Sequence, residues 1–192
     1  MPIYRAVPRS RFVPGEELRR NPGRRLPSHV SYLADNLWEF TRPPGMPSRR
    51  HAVYASPTPE LALQNAAGGL QQHEYVACVL EFRYQPAMIQ LTVSDARHHP
   101  DIKRLQQVVN DSLRNWSAGE LGSKLALAPL FLPGVDRDEL KAAMAMDPLL
   151  DKVVRTAAAE VRLWSPAPDA VSPDGELFFE IAEDNFYTLQ PV

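Results

Sequence analysis

At 192 residues the chain holds one ordinary domain with at most an appended element. Apolar residues at 44% and charged residues at 23% exclude wholesale disorder and a collagen-like chain, and the one cysteine, Cys78, excludes an internal disulfide and any cysteine-cluster metal site. The formal charge of −2 hides a division, because residues 1–50 carry ten arginines against four carboxylates, a net +6, and the remainder carries −8.

In chain order, Ile3 to Val7 reads as a short strand stopped by Pro8. Glu16 to Arg20 suits a turn or two of helix before Asn21-Pro22-Gly23 breaks it. His29 to Phe40 suits a helix with Val30, Leu33, Leu37 and Phe40 on one side, and TRPPGMPSRR (41–50) after it is irregular. His51 to Ser56 reads as a strand. Thr58 then caps a helix with Pro59 at its first position and Glu60 in its first turn, and Gly68-Gly69 ends it.

Glu74 to Tyr84 is a strand with apolar residues on both faces near its centre, and Ala87 to Val93 is another. From Asp101 the period changes to 3.6, with Ile102, Leu105, Val108, Val109 and Leu113 marking one helical face. ALAPLFLPG (126–134) is apolar and broken by Pro129 and Pro133. Asp136 to Met146 and Leu149 to Val161 are two further helices jointed at Asp147-Pro148. Val161 to Trp164 has strand character, SPAPDAVSPDG (165–175) is a loop, and Glu176 to Ile181 and Phe186 to Leu189 close the chain as strands. The class is α+β, one domain over 1–192 with a helical segment inserted at about 100–160.

Several familiar chemistries lack their residues. There is no GxGxxG and no P-loop. His98-His99 is an adjacent pair rather than a converging ligand set, so no metal is expected. Ser10, Ser28 and Ser48 sit in loops without a nucleophile elbow, and Cys78 in EYVACVLEF is a buried strand position. No apolar stretch is long enough to span a membrane, and MPIYRAVPRSR lacks the apolar core of a secretory signal.

Three spaced segments carry more together than apart. They are the strand Tyr4-Arg5-Ala6, the strand end Val53-Tyr54-Ala55-Ser56-Pro57-Thr58, and the acidic turn Asp174-Gly175-Glu176 leading into Leu177-Phe178-Phe179. Through them the chain resembles the ADP-ribosyltransferase superfamily, in particular the bacterial toxins with an arginine, serine, glutamate triad. PSRRHAVYASPTPELAL also resembles the bacterial small-molecule ADP-ribosyltransferases, in which an Arg/His-rich loop precedes a Val-Tyr strand and a helix.

The resemblance implies a core of two small packed antiparallel sheets and NAD as substrate. It implies a mono-ADP-ribosyltransferase, a bacterial toxin or effector, that modifies a macromolecule. A protein target comes first, with nucleic acid or a small molecule as other acceptors, and an immunity or chaperone protein is a further partner. Such a protein is cytoplasmic in its producer and reaches a target cell by a route that needs no signal peptide.

The implied catalytic residues are Arg5, Ser56 and Glu176, with Arg5, Tyr54, Ser56 and Thr58 on the NAD and Asp174 on the acceptor side. Cleaving the nicotinamide–ribose bond builds positive charge on the ribose carbon, which a carboxylate such as Glu176 stabilises. Arg5 suits paired hydrogen bonds to phosphate, Ser56 a ribose hydroxyl, and Tyr54 a stacked nicotinamide. Arg42, Arg49 and Arg50 stand as further contacts to the dinucleotide or to a protein target. Glu180 alternates onto the same strand side as Glu176 and remains open as the important acid. Two other outcomes stay open: NAD glycohydrolysis or phosphorolysis, as in the RES-type toxins, and a binding module without catalysis whose basic first quarter docks an acidic partner.

Overall fold

A computed structural model describes residues 2–20, 23, 30–67, 71–114, 120–164 and 173–192. It is α+β, with two antiparallel sheets and seven α-helices among the described residues. The chain forms two compact units: one of Met1–Arg24, Gly45–Ala96 and Pro166–Val192, the other of Arg25–Pro44 and Arg97–Ser165.

Among the described residues the first unit holds every strand. β1 (Tyr4–Pro8), β4 (Tyr75–Phe82), β7 (Phe186–Pro191) and β2 (Leu18–Arg19) form one sheet in the order β1-β4-β7-β2. β3 (Val53–Ala55), β6 (Leu177–Phe179) and β5 (Met88–Gln90) form the other, in the order β3-β6-β5. The registers decide which residues meet. On the first sheet Cys78 faces Pro191, Leu80 faces Leu189 and Phe82 faces Tyr187. On the second, Val53 and Met88 flank Phe179. Cys78, Leu80, Leu189, Tyr187 and Phe179 belong to one buried cluster with Ile3, Ala55, Leu177 and Ile181, against which Val53, Phe82 and Met88 pack, so the two sheets pack face to face. Phe82, Phe179 and Tyr187 meet edge-on and tilted within it, at ring separations of 4.9 to 6.2 Å. Helix α2 (Pro59–Ala67) lies against β1 and β4.

The second unit is helical. Its members are α1 (Tyr32–Thr41), α3 (Asp101–Arg114), α4 (Glu120–Ala126), α5 (Ala128–Phe131), α6 (Arg137–Met146) and α7 (Pro148–Ala158). α1 touches α3, α5, α6 and α7 and buries Leu33, Ala34, Leu37 and Trp38. Asn36, 1% exposed, gives its amide to the carbonyls of Pro129, Leu130 and Leu132, which the end of α5 leaves without helical partners. Asp136 and Glu139 form a reciprocal capping box at the start of α6. Asp147 ends α6 and caps α7 through the Leu149 and Leu150 amides, which is why Asp147-Pro148 makes a joint rather than a loop. Asp101, 1% exposed, accepts at Oδ2 from Trp38 Nε1 (2.9 Å) and from the Arg162 and Leu163 amides (3.0 Å each).

Those two bonds account for one departure from the sequence reading. Val161 to Trp164 forms no strand, because its amides go to a carboxylate instead of a sheet neighbour. Likewise Glu16 to Arg20 is not helical. Gly15 turns the chain at φ +72° and Leu18–Arg19 pairs with Phe186 and Tyr187 of β7, so tertiary pairing overrides the local preference. The apolar stretch read as broken by Pro129 is helical there, with Pro129 in the first turn of α5, where no amide donor is needed. The other strands and helices stand where expected, within a few residues, except α4, which the sequence reading did not place. The breaks read at Asn21-Pro22 and Gly68-Gly69, and most of the loop 165–175, lie outside the described residues.

Candidate functional site

The site follows from two registers. β3 and β6 pair Tyr54 with Phe178 and Ala55 with Leu177. Ser56 directly follows β3 and Glu176 directly precedes β6, so both stand at the same end of that strand pair. Ser56 also bridges to Tyr4 through a reciprocal pair of backbone bonds of 2.8 and 2.7 Å. The end of β3 thus joins the two sheets and brings β1, with Arg5, beside it. Arg5, Tyr54, Ser56 and Glu176 line one cleft of about 170 Å³ together with Asn65 and the alanines of α2.

Arg5 stands opposite Cys78 and shares a strand face with Ile3 and Val7, so its side chain leaves the backbone on the apolar inner side. Its Nη1 donates to the phenol oxygen of Tyr187, itself 2% exposed. Among the described residues Arg5 makes no ion pair. A half-buried guanidinium whose partner is a single phenol oxygen has most of its donors left for an anion.

Glu176 is clamped by the segment after β5. Its amide donates to Val93 O (2.8 Å), its carbonyl accepts from Leu91 N (2.9 Å), and Oε2 accepts from Ala96 N (3.0 Å). Glu180 has another task. Its carboxylate accepts from Ser48 N (2.8 Å) and Arg20 Nη2 (3.3 Å), and its carbonyl accepts from Tyr84 Oη (3.3 Å). Glu180 does not line the cleft. Of the two acids, Glu176 is the one that meets Arg5 and Ser56.

Tyr54 lines the cleft, but its ring already meets a cation. The Tyr54 hydroxyl donates to Arg49 O (2.6 Å), and the Arg49 guanidinium lies 5.1 Å from the Tyr54 ring centre and 5.3 Å from that of Phe178. A ring stacking on that aromatic face has to displace Arg49. Thr58 is absent from the lining, and its Oγ1 caps α2 by accepting from Leu61 N at 3.2 Å. Asp174 is exposed on the turn before β6 and is likewise outside the lining. Arg42 pairs with Glu39 in the helical unit, and Arg50 is 3% exposed.

Sequence reading missed two residues. Tyr187 carries the signal of a tyrosine at an inward position of an alternating strand, next to Leu189. Asn65 sits among Ala62 and Ala66 at the i, i+3, i+4 spacing of one helix face, where a lone amide between two alanines marks both room and a polar purpose.

Among the described residues no group of three or more His, Cys, Asp or Glu is placed to hold a metal ion, and no helix is long and apolar enough to cross a membrane. His99 is 5% exposed in the helical unit, with its Nδ1 3.2 Å from the Asp101 amide and 3.6 Å from Asp101 Oδ2. Comparison of the chain with protein-family models, with curated proteins and with solved structures finds no match.

Proposed function

We propose that the sheet-bearing unit is the catalytic core of an NAD-dependent mono-ADP-ribosyltransferase, a bacterial toxin or effector that transfers ADP-ribose to a macromolecular target. One observation carries the reading: an arginine with no carboxylate partner among the described residues shares a small cleft with a serine hydroxyl and a clamped glutamate. These are the groups that a diphosphate, a ribose and a developing ribosyl cation require.

In this reading Arg5 takes a phosphate oxygen, and Tyr187 holds its guanidinium at the cleft wall. Ser56 holds a ribose hydroxyl. Glu176 stands by the anomeric carbon, where its charge lowers the cost of the cation formed as nicotinamide leaves. The Ala96 amide on Oε2 holds the carboxylate in place. A cleft of about 170 Å³ is below the size of sites that enclose drug-sized ligands. It takes one end of the dinucleotide, and the rest lies along open surface.

A second reading has its own support. Asp174, the residue that the resemblance sets against an acceptor, is not in the cleft lining, and Glu176 is the lining's one acid. A site equipped for bond cleavage but with no carboxylate beside the acceptor suits water, which is NAD glycohydrolysis. Nicotinamide release from NAD by the purified protein tests the common chemistry, and its absence refutes both readings. Mass analysis of incubated lysate proteins separates them, since only transfer leaves an ADP-ribose adduct.

A further inference from the structure

We infer that Asn65 is a positioning residue that fixes the Ser56 hydroxyl as a hydrogen-bond donor into the cleft, so that the ligand group met there is an acceptor oxygen. The inference rests on the proposed NAD chemistry for the identity of that ligand, but its geometry stands apart from it. Asn65 lines the cleft from α2. Its Nδ2 lies 2.9 Å from the carbonyl oxygen of Ser94 and 3.3 Å from Ser56 Oγ. A carbonyl oxygen only accepts, so the Ser94 contact settles which end of the amide is nitrogen. The same NH2 group then faces Ser56 Oγ, and a donor facing the hydroxyl forces it to accept there.

The Ser56 hydrogen must therefore turn elsewhere. Ser56 is 3% exposed, and among the described residues no acceptor lies within bonding reach of its O–H. The cleft it lines is the remaining direction. A buried hydroxyl without an acceptor is costly, and a ligand oxygen that supplies one recovers that cost. The segment that holds Asn65 also holds Glu176, the first through Ser94 O and the second through Val93 O and Ala96 N. One short stretch thereby sets the polarity of the serine and the position of the acid.

Asn65→Asp tests the relay by reversing its polarity. As a carboxylate the new side chain accepts the Ser56 hydrogen and draws it out of the cleft, whereas protonated it donates again. Nicotinamide release is measured from pH 5 to 8.5, with kcat and KM separated. Losing the aligned donor lowers kcat/KM roughly tenfold at pH 8 in both Asn65→Asp and Asn65→Ala, the size expected for one hydrogen bond to a ligand oxygen. The expected result is that Asn65→Asp alone regains most of this loss on acidification. Equal, pH-independent losses in the two variants, or an Asn65→Asp within twofold of wild type throughout, overturn the inference.

If the wild type itself releases no nicotinamide, the NAD reading fails and the relay is read by NMR. The two side-chain amide protons of Asn65 should then be distinct and slow to exchange, with one of them shifted in Ser56→Ala. Two fast-exchanging protons, or a pair that Ser56→Ala leaves unmoved, overturn the relay itself.

Discussion

Exchanging Glu176 for glutamine removes a charge and keeps the shape. Its Oε2 accepts from the Ala96 amide, a role an amide oxygen can fill, while both strand-side backbone bonds are untouched. The cost in stability should stay below about 1 kcal/mol, the worth of a charge-assisted bond made neutral. The cost in catalysis is larger. Two unit charges about 4 Å apart at an effective dielectric near 20 attract by about 4 kcal/mol, and losing that from a ribosyl-cation transition state slows release roughly a thousandfold.

Glu180→Gln is the matched control. Its glutamine can still accept from Ser48 N, and the ion pair with Arg20 that it gives up is partly exposed and worth at most about 1 kcal/mol. The two variants should therefore unfold within about 1 kcal/mol of each other in urea. Continuous assay of nicotinamide release should show Glu180→Gln within twofold of wild type and Glu176→Gln near background. A Glu176→Gln enzyme that keeps more than a tenth of wild-type rate, or a Glu180→Gln enzyme that falls equally far, refutes the assignment of the acid.

Arg5→Met should reduce NAD affinity at least tenfold by calorimetry, because a methionine offers the phosphate no donor, and should leave stability unchanged or raised, since position 5 shares its face with Ile3 and Val7. Arg49→Ala uncovers the Tyr54 ring; if nicotinamide stacks there, KM falls, and an unchanged KM excludes stacking on that face. Asp101→Ala strands three buried donors and should destabilise the helical unit by about 3 kcal/mol or more, with Asp101→Asn costing clearly less; Trp38 fluorescence in urea reads both. Burial pushes the Cys78 thiol above its ordinary value of 9.0, so the protonated form belongs to the fold and stability falls as pH rises past that value. Cys78→Ala should flatten that alkaline decline, and native Cys78 should react with a thiol reagent only on unfolding.

What the sequence revealed depended on how local its causes were. Thr58-Pro59-Glu60, Asp136 with Glu139, and Asp147-Pro148 announce their helices because a cap is written within four residues. Arg5, Ser56 and Glu176 could be named through the resemblance, Arg5 within its short strand and Ser56 and Glu176 at the ends of theirs. That they meet was not legible, since the meeting depends on the β3–β6 register and on the Tyr4–Ser56 bridge, pairings between residues far apart in the chain. The same distance hid Tyr187 and Asn65 and turned Val161 to Trp164 from a strand into donors for Asp101. The cation over the Tyr54 ring was also not legible, although Arg49 lies only five residues away, because it depends on how the loop before β3 turns back.

The division of charge noted in the sequence narrows to a single side chain. The first fifty residues are rich in arginine, yet several of those cations are held: Arg20 by Glu180, Arg42 by Glu39, Arg19 by Glu17, and Arg49 over two aromatic rings. Arg5 differs. It interrupts the alternation of Ile3 and Val7 on a face that otherwise builds the core, and it receives a phenol there where a carboxylate would neutralise it. Folding alone favours an aliphatic residue at that position. A cation kept without its counter-ion beside an opposing glutamate and a hydroxyl is a cost to the sheet, and an anionic ligand in the cleft is what would recover it.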